Sequence, residues 1–231
     1  WNLATVSKDL QDAYRSQLAA SDRARERGAA VFGLVPALPP KVLLNFVTGF
    51  VLDVIPNWAE ILRLPHDAKC RALADAGVRE RLKSGTKAIP LESIRNLFRD
   101  WGAITIELVG PGANAGWIGR SLGALAAHRG TEPLDALFDL AVEEALQVSF
   151  APPPDGDDDE SWAMRADAWR DPRLLVGGSD AGAHLDMINS FALSTQLLAD
   201  PVRTRRLISL EEGVHMITGA PAQQFGLIGR G

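Results

Sequence analysis

The chain has 231 residues, of which 46% are hydrophobic, with a formal net charge of −5 and a single cysteine. That length is enough for one domain with a sizeable core, so we predict a single domain over residues 1–231. The acidic balance argues against nucleic acid and against an anionic membrane as partners, and no apolar run approaches the roughly 20 residues of a membrane span. The lone Cys70 excludes an internal disulfide and is typical of a protein in the reducing cytoplasm.

The N-terminal region predicts a short strand followed by a helix. Residues 1–6 have the apolar character of a buried strand. After them, Leu10, Tyr14 and Leu18 recur every four residues, which predicts a helix over 7–28.

Two continuous apolar runs follow, at 29–35 and 42–47, and the first is typical of a buried parallel strand. Only residues 36–41 separate the two runs, whereas a parallel crossover needs a dozen or more residues. We therefore predict that the second run is not the next parallel neighbour but a bent extension that leads into loops.

The rest of the chain alternates between helical and extended patterns. Residues 103–109 place Ile104, Ile106 and Leu108 on one side, which predicts a half-exposed strand. The acidic stretch 152–160 lacks the ligand spacing of a calcium loop and is predicted to be a solvated loop. The other predicted elements are helical pieces over 56–83, helices that begin at Pro90 and Pro133, strands over 147–150 and 174–178, a helix behind the capping box of Ser209 and Glu212, and a short helix over 221–226.

The four histidines are scattered along the chain. His66 stands at a predicted helix start, where we expect a surface or capping role. His215 lies on a predicted helix beside apolar residues, where we expect a structural role. His128 stands near a helix C-terminus, where a partial positive charge is favourable.

The most informative stretch is 171–186. Its apolar run 174–176 ends in Gly177 and Gly178, and Asp180 follows at the point where a buried strand would reach the surface. In parallel α/β folds, catalytic groups are usually built at the carboxyl ends of strands, and glycines there leave room for a ligand or a metal. The alternative is an aspartate that only caps a turn before the next helix.

The run Gly-Gly-Ser-Asp-Ala-Gly-Ala-His at 177–184, with the sequence that follows it, resembles the closing part of a barrel in the amidohydrolase superfamily. Within that superfamily it is most similar to the N-acyl-D-amino-acid deacylases (D-aminoacylases). Residues 173–231 carry the specific resemblance, and 46–49, 55–58 and 114–122 match more loosely. The resemblance implies an α/β fold, a partial (β/α)8 TIM barrel that lacks the first strands and the completing β-sandwich.

The resemblance also implies an activity, the hydrolysis of the amide bond of N-acyl amino acids. In such enzymes a metal at the barrel mouth activates water, and an aspartate after the last strand transfers the proton to the leaving nitrogen. Asp180 occupies that position, so the resemblance assigns it the acid–base role and a place as a metal ligand. Ser179, Gly182 and His184 would lie against the substrate; alternatively, His184 fixes the loop through Asp186.

Two features depart from the family pattern. The chain lacks the His-x-His pair that follows the first barrel strand, and residues 181–186 differ from the best-known loop. We therefore expect zinc in the intact parent enzyme, but no stable metal binding and no activity from this chain alone. We also expect open strand edges to make the chain a homo-oligomer. Two alternatives stay open: a cyclic-amide hydrolase of the dihydroorotase or hydantoinase type, and a non-catalytic barrel fragment.

Overall fold

The structure is a computed structural model that describes residues 6–39, 41–49, 51–89, 97–179, 187–188 and 190–230. It is a mixed α/β structure, and its internal contacts divide the chain into two compact units. The first unit comprises Trp1–Pro40 and Pro154–Gly231, and the second comprises Lys41–Pro153. A single domain over the whole chain stays a prediction.

Within the described residues, the α-helices and strands follow one another in the order helix, two strands, three helices, strand, two helices, strand, helix, strand and three helices. The helices are α1 (Gln11–Glu26), α2 (Ala59–Leu62), α3 (His66–Ala74), α4 (Ala76–Thr86), α5 (Leu122–Arg129), α6 (Pro133–Glu143), α7 (Asp159–Arg170), α8 (Leu193–Leu197), α9 (Leu210–Ile217) and α10 (Gly219–Gln224). The strands are β1 (Gly33–Val35), β2 (Leu44–Asn45), β3 (Thr105–Val109), β4 (Val148–Ala151) and β5 (Leu174–Val176).

Several of these elements confirm predictions that rest on local signals. The predicted helix over 7–28 is α1, preceded by a 3-10 turn. Ser209 and Glu212 form the capping box of α9, with the hydroxyl of Ser209 accepting from the amide of Glu212 at 3.1 Å. The last helix ends before Gly226, as expected. The strand predicted over 1–6, apart from Val6, and the start of the helix predicted at Pro90 lie outside the described residues.

The first unit is built on a parallel pair of strands. Strand β1 pairs with β5 in the register Gly33 to Leu174, Leu34 to Leu175 and Val35 to Val176. Both predicted strands are therefore present, although each is three residues long. Helices α1 and α7 contribute to the core around the pair, which includes Leu18, Val35, Trp162, Trp169, Leu174, Leu197 and Met216.

The second unit holds a three-stranded antiparallel sheet in the order β2-β4-β3. The absence of a parallel pairing between β1 and β2 confirms the argument from the short connection. The strand predicted over 147–150 is present as β4, but both of its neighbours are antiparallel, unlike the strands of the (β/α)8 barrel that the resemblance implies. Register is set by the face that must be buried. Phe150 stands opposite Leu44 on one side and Ile106 on the other, and all three side chains are buried.

A β-bulge overturns the predicted face of β3. Ile104 and Ile106 are fully buried, as predicted, but Leu108 is 51% exposed and Val109 is buried instead. The register with β4 shifts between Ile106 and Leu108, so one extra residue is inserted there. Because side chains alternate along a strand, one inserted residue moves every later side chain to the opposite face.

An aromatic cluster forms the centre of the second unit. The ring of Trp58 lies 6.3 Å from that of Phe46, 5.6 Å from that of Trp101 and 5.8 Å from that of Phe138. Its indole nitrogen donates to the carbonyl oxygen of Leu82 in α4 at 3.0 Å, so its polar atom is satisfied in the core. Burying side chains of this size contributes about 1.5–3 kcal/mol each.

Of the loop predicted over 152–160, residues 152–158 are a loop and Asp159 already begins α7, and carboxylates of the loop bond to protein groups. Asp158 caps α7 by accepting from the amide of Ser161 at 3.1 Å. Asp157 accepts from the indole nitrogen of Trp162 at 2.7 Å and from Arg205 at 3.2 Å. The loop therefore belongs to the folded first unit.

The buried side chain of Arg165 forms hydrogen bonds to the backbone of the same loop. Its side chain is 1% exposed and donates to the carbonyl oxygens of Gly156 at 3.3 Å and of Val6 at 2.9 Å. Burial lowers the pKa of Arg165 to about 10, which leaves the guanidinium charged at neutral pH. Gly156 has a φ of 75°, and a Cβ atom there would lie 3.0 Å from the carbonyl oxygen of Val6, so a side chain would be strained.

Close packing of α4 against the preceding turn generates a prediction about two glycines of one helix. A Cβ atom at Gly85 would lie 1.8 Å from the carbonyl oxygen of Pro56, whereas at Gly77 it would meet only a side-chain oxygen of Asp75 at 3.2 Å. We expect Gly85→Ala to lower the free energy of unfolding by about 2–3 kcal/mol through overpacking. Gly77→Ala, the matched control, should change it by less than about 1 kcal/mol. Denaturant titration measures both, and equal values for the two variants would contradict the packing argument.

Candidate active site

The carboxyl ends of β1 and β5 lie together at one edge of the parallel pair. The amide of Gly177 donates to the carbonyl oxygen of Val35 at 3.0 Å, which extends the ladder one residue beyond β5. Next to this edge, the indole nitrogen of Trp169 donates to the carbonyl oxygen of Pro36 at 3.2 Å. The chain segments that leave the two strands are therefore both held by hydrogen bonds.

Two glycines shape the chain as it leaves β5, each for its own reason. At Gly177 a Cβ atom would lie 3.0 Å from Cδ2 of Leu34 on the neighbouring strand, so the site is tight for any side chain. Gly178 has a φ of 85°, in the left-handed region that L side chains rarely adopt. The pair therefore turns the backbone out of the strand directly before the predicted catalytic residue.

The structure places part of the predicted site and not the rest. Ser179 is half-buried, and its carbonyl oxygen accepts from the hydroxyl of Ser190 at 2.7 Å. Asp180, Gly182 and His184 lie outside the described residues, as does Asp186. Their roles as acid–base, metal-binding and substrate-binding residues stay predictions.

The described residues at this edge offer no charge and no metal site. The segments 36–39 and 177–179 contain only proline, alanine, leucine, glycine and serine. Across the described part of the chain, no group of three His, Cys, Asp or Glu side chains could hold a metal ion. The residues that the structure describes therefore do not fit a zinc ion, which takes three or four protein ligands.

The histidines outside 180–186 lie on three different helices. His66 begins α3 and is exposed, as expected; its Nε2 lies 2.9 Å from the carbonyl oxygen of Ala145, and its pKa is raised by hydrogen bonding to Asp67. His128 is exposed at the end of α5, 5.2 Å from the ring of Trp117. His215 on α9 is exposed, so its predicted structural role is not one of core packing.

The amino end of β5 is held by an ion-pair network. Arg173 donates through Nε to one carboxylate oxygen of Asp171 at 2.9 Å and through Nη2 to the other at 2.6 Å. Its third nitrogen donates to Asp22 of α1 at 2.7 Å. The hydrogen bonds from Arg173 lower the pKa of Asp171, and burial together with the Asp171 charge raises the pKa of the nearby Tyr14 to about 12.

A groove at this amino end was not foreseen from the sequence. Its volume is about 730 Å³, and it lies beside the start of β5 on the other end from Gly177. No local pattern could have indicated it, because its walls come from segments far apart in the chain. They are Phe32, Trp169–Pro172, Leu174, Leu175, Glu212, His215, Met216, Ala220, Gln223 and Gln224.

Comparison with known proteins finds remote and partial similarities. No protein-family model matches the chain. Uncharacterized proteins of Mycobacterium bovis and of two strains of Mycobacterium tuberculosis are 32% identical over 123 residues, which cover 48% of this chain and 18% of each relative. The match thus spans less than a fifth of the length of these curated relatives.

One solved structure is similar over the whole chain. It is the crystal structure of N-acyl-D-glutamate deacylase from Bordetella bronchiseptica, complexed with zinc and a phosphonate inhibitor. The TM-score is 0.47 and the identity 18%, over 100% of this chain and 36% of that one. The relationship is remote.

The network at Arg173 predicts how acid affects stability. The pKa of Asp171 is lower in the folded protein than in the unfolded chain. Its contribution to the free energy of unfolding is therefore fully present at a pH above the pKa of the unfolded chain, and it is lost as the pH falls through the pKa of the folded protein. We expect Asp171→Asn to destabilise the protein at neutral pH and to flatten the acid limb of its stability curve. Thermal unfolding between pH 7 and pH 2 measures this.

The control is Asp12→Asn, because the side chain of Asp12 is fully exposed and 3.6 Å from Arg15. Its acid limb should match that of the unmodified chain. An acid limb for Asp171→Asn as steep as for Asp12→Asn would show that Asp171 adds nothing to stability.

Proposed function

We propose that the protein to which this chain belongs hydrolyses the amide bond of N-acylated amino acids, and that Asp180 carries the proton in that reaction. The observation that carries the proposal is the backbone geometry at the carboxyl end of β5. There a parallel strand leads through the tight Gly177 and the left-handed Gly178 to Ser179, one residue before the aspartate. The resemblance of 177–184 to the amidohydrolase barrels supports the same assignment.

The proposed barrel relationship concerns the first unit. Strands β1 and β5 pair in parallel, as neighbours in a (β/α)8 barrel do, and α7 leads directly into β5. The antiparallel sheet of the second unit does not have that geometry. We therefore propose that the first unit contributes the barrel edge and that the second unit is an insertion between its strands.

Asp180 would act as base and then as acid. A carboxylate at this place can accept a proton from the attacking water and return it to the departing nitrogen. A Cβ atom at Gly178 would meet no described group within 4 Å, which leaves space for the substrate, and Ser179, Gly182 and His184 are the proposed contacts. In the resembling enzymes zinc polarises the carbonyl and the water, but the described residues lack its ligand set, so we assign no step of this chain to a metal.

Substitution of Asp180 tests the proposal in the whole protein. We expect Asp180→Asn to lower kcat by roughly 10²- to 10⁴-fold and to change KM only a few-fold, because the proton transfer is lost while binding contacts remain. The assay uses a panel of N-acetylated D- and L-amino acids together with a hydantoin and dihydroorotate. The exposed Asp12→Asn is the control and should keep full activity.

The assay tests the role of Asp180 and the substrate class separately. Near-normal turnover by Asp180→Asn would remove Asp180 from the mechanism. Turnover of only the cyclic amides would replace the linear substrate class with the hydantoinase type, while leaving the role of Asp180 intact.

We also propose that the isolated chain self-associates. Within the described residues, β1 and β5 pair only with each other, which leaves two strand edges open, and Phe225 and Ile228 are 77% and 97% exposed. Open edges and exposed apolar side chains favour association. Sedimentation velocity at micromolar concentration should show a dimer or a larger species. Replacement of Phe225 and Ile228 by serine should shift the distribution towards monomer, and a compact monomer for the unmodified chain would contradict the proposal.

A further inference from the structure

The groove at the amino end of β5 combines an apolar floor with a polar rim. Trp169 and Leu174 are buried in the core and present part of their surface to the groove, together with Phe32 and Met216. A concave surface of about 730 Å³ lies within the range that small-molecule sites occupy. The shape and the floor thus suit a ligand with an aromatic or aliphatic body.

The carboxylates on the rim are already engaged. One oxygen of Glu212 accepts from Nε of Arg170 at 2.9 Å, and the other accepts from the backbone amide of Ser209 at 2.8 Å. Both oxygens of Asp171 accept from Arg173. Neither acid therefore has to be balanced by a cationic ligand.

Hydrogen-bond donors remain on the same rim. Arg170 uses Nε and Nη2, the latter at 3.1 Å from the carbonyl oxygen of Leu207, and its Nη1 makes no hydrogen bond within the described part of the chain. The side chains of His215, Gln223 and Gln224 likewise make none to described residues, and all three are exposed at the groove. The rim thus offers a guanidinium together with amide and imidazole groups to a ligand that is rich in hydrogen-bond acceptors.

We infer that this groove binds a small amphipathic carboxylate, with the apolar body against Trp169 and Met216 and the carboxylate at Arg170. The groove is not the site proposed at the carboxyl edge, because Gly177, Gly178 and Ser179 are not among its lining residues. It does not depend on the proposed hydrolysis.

Ligand titration of the full chain tests the inference. The probe is 4-phenylbutyrate, and 4-phenylbutanamide is the matched uncharged compound. For a ligand of this size we expect one saturable site with a Kd of about 1 mM, measured by ligand-observed NMR. The amide should bind at least about tenfold more weakly, because it lacks the charge that Arg170 recognises.

Three variants locate the site. Arg170→Gln should weaken binding of the carboxylate at least about tenfold, whereas Arg203→Gln, which removes an exposed arginine elsewhere in the first unit, should change it less than about twofold. Ala220→Trp should weaken binding by narrowing the groove without removing any polar contact. Thermal unfolding of each variant checks that it is folded, and if Arg170→Gln is not, Ala220→Trp and the amide carry the test.

Each result bears on the inference. The absence of saturation up to about 20 mM, equal binding of the amide, or unchanged binding to Ala220→Trp would overturn it, as would equal losses in Arg170→Gln and Arg203→Gln. Asp180→Asn should bind the probe normally, so failure of the groove and failure of the hydrolase proposal are distinguishable.

Discussion

Arg173 joins the parts of the first unit on which both the candidate site and the groove depend. Its guanidinium binds Asp171 at the end of α7 and Asp22 of α1, and its carbonyl oxygen accepts from the amide of Gly33 at 3.0 Å. This one residue therefore connects the first residues of β1 and β5 to each other and to α1 and α7.

The two ends of this strand pair differ in chemical character. At the carboxyl end the chain continues through Gly177, Gly178 and Ser179, which are small and uncharged. At the amino end Trp169 and Arg170 present an aromatic surface and a cation to the groove. The side chain of Trp169 connects the two ends, since it lines the groove and donates to the carbonyl oxygen of Pro36 beyond β1.

Local patterns predicted a substantial part of the fold. The spacing of apolar residues indicated α1, the capping box of Ser209 indicated α9, and the apolar run before Gly177 indicated β5. These succeed because a helix turn, a cap and a strand end depend on residues within about four positions. The face of β3 was predicted wrongly after Ile106, because a bulge depends on the partner strand and has no local signal.

The sequence by itself indicated α1 and the start of α9, and it placed Asp180 directly after an apolar run and two glycines. Only the tertiary structure decided which strands pair, which acids are engaged and where a groove forms. Arg165, for example, donates to Val6 across 159 positions of the chain. Antiparallel pairing of β4, the ion pairs of Arg173 and the walls of the groove arise in the same way. They depend on the free energy of burying and pairing groups that are distant in the chain, and no short-range pattern encodes which distant groups will meet.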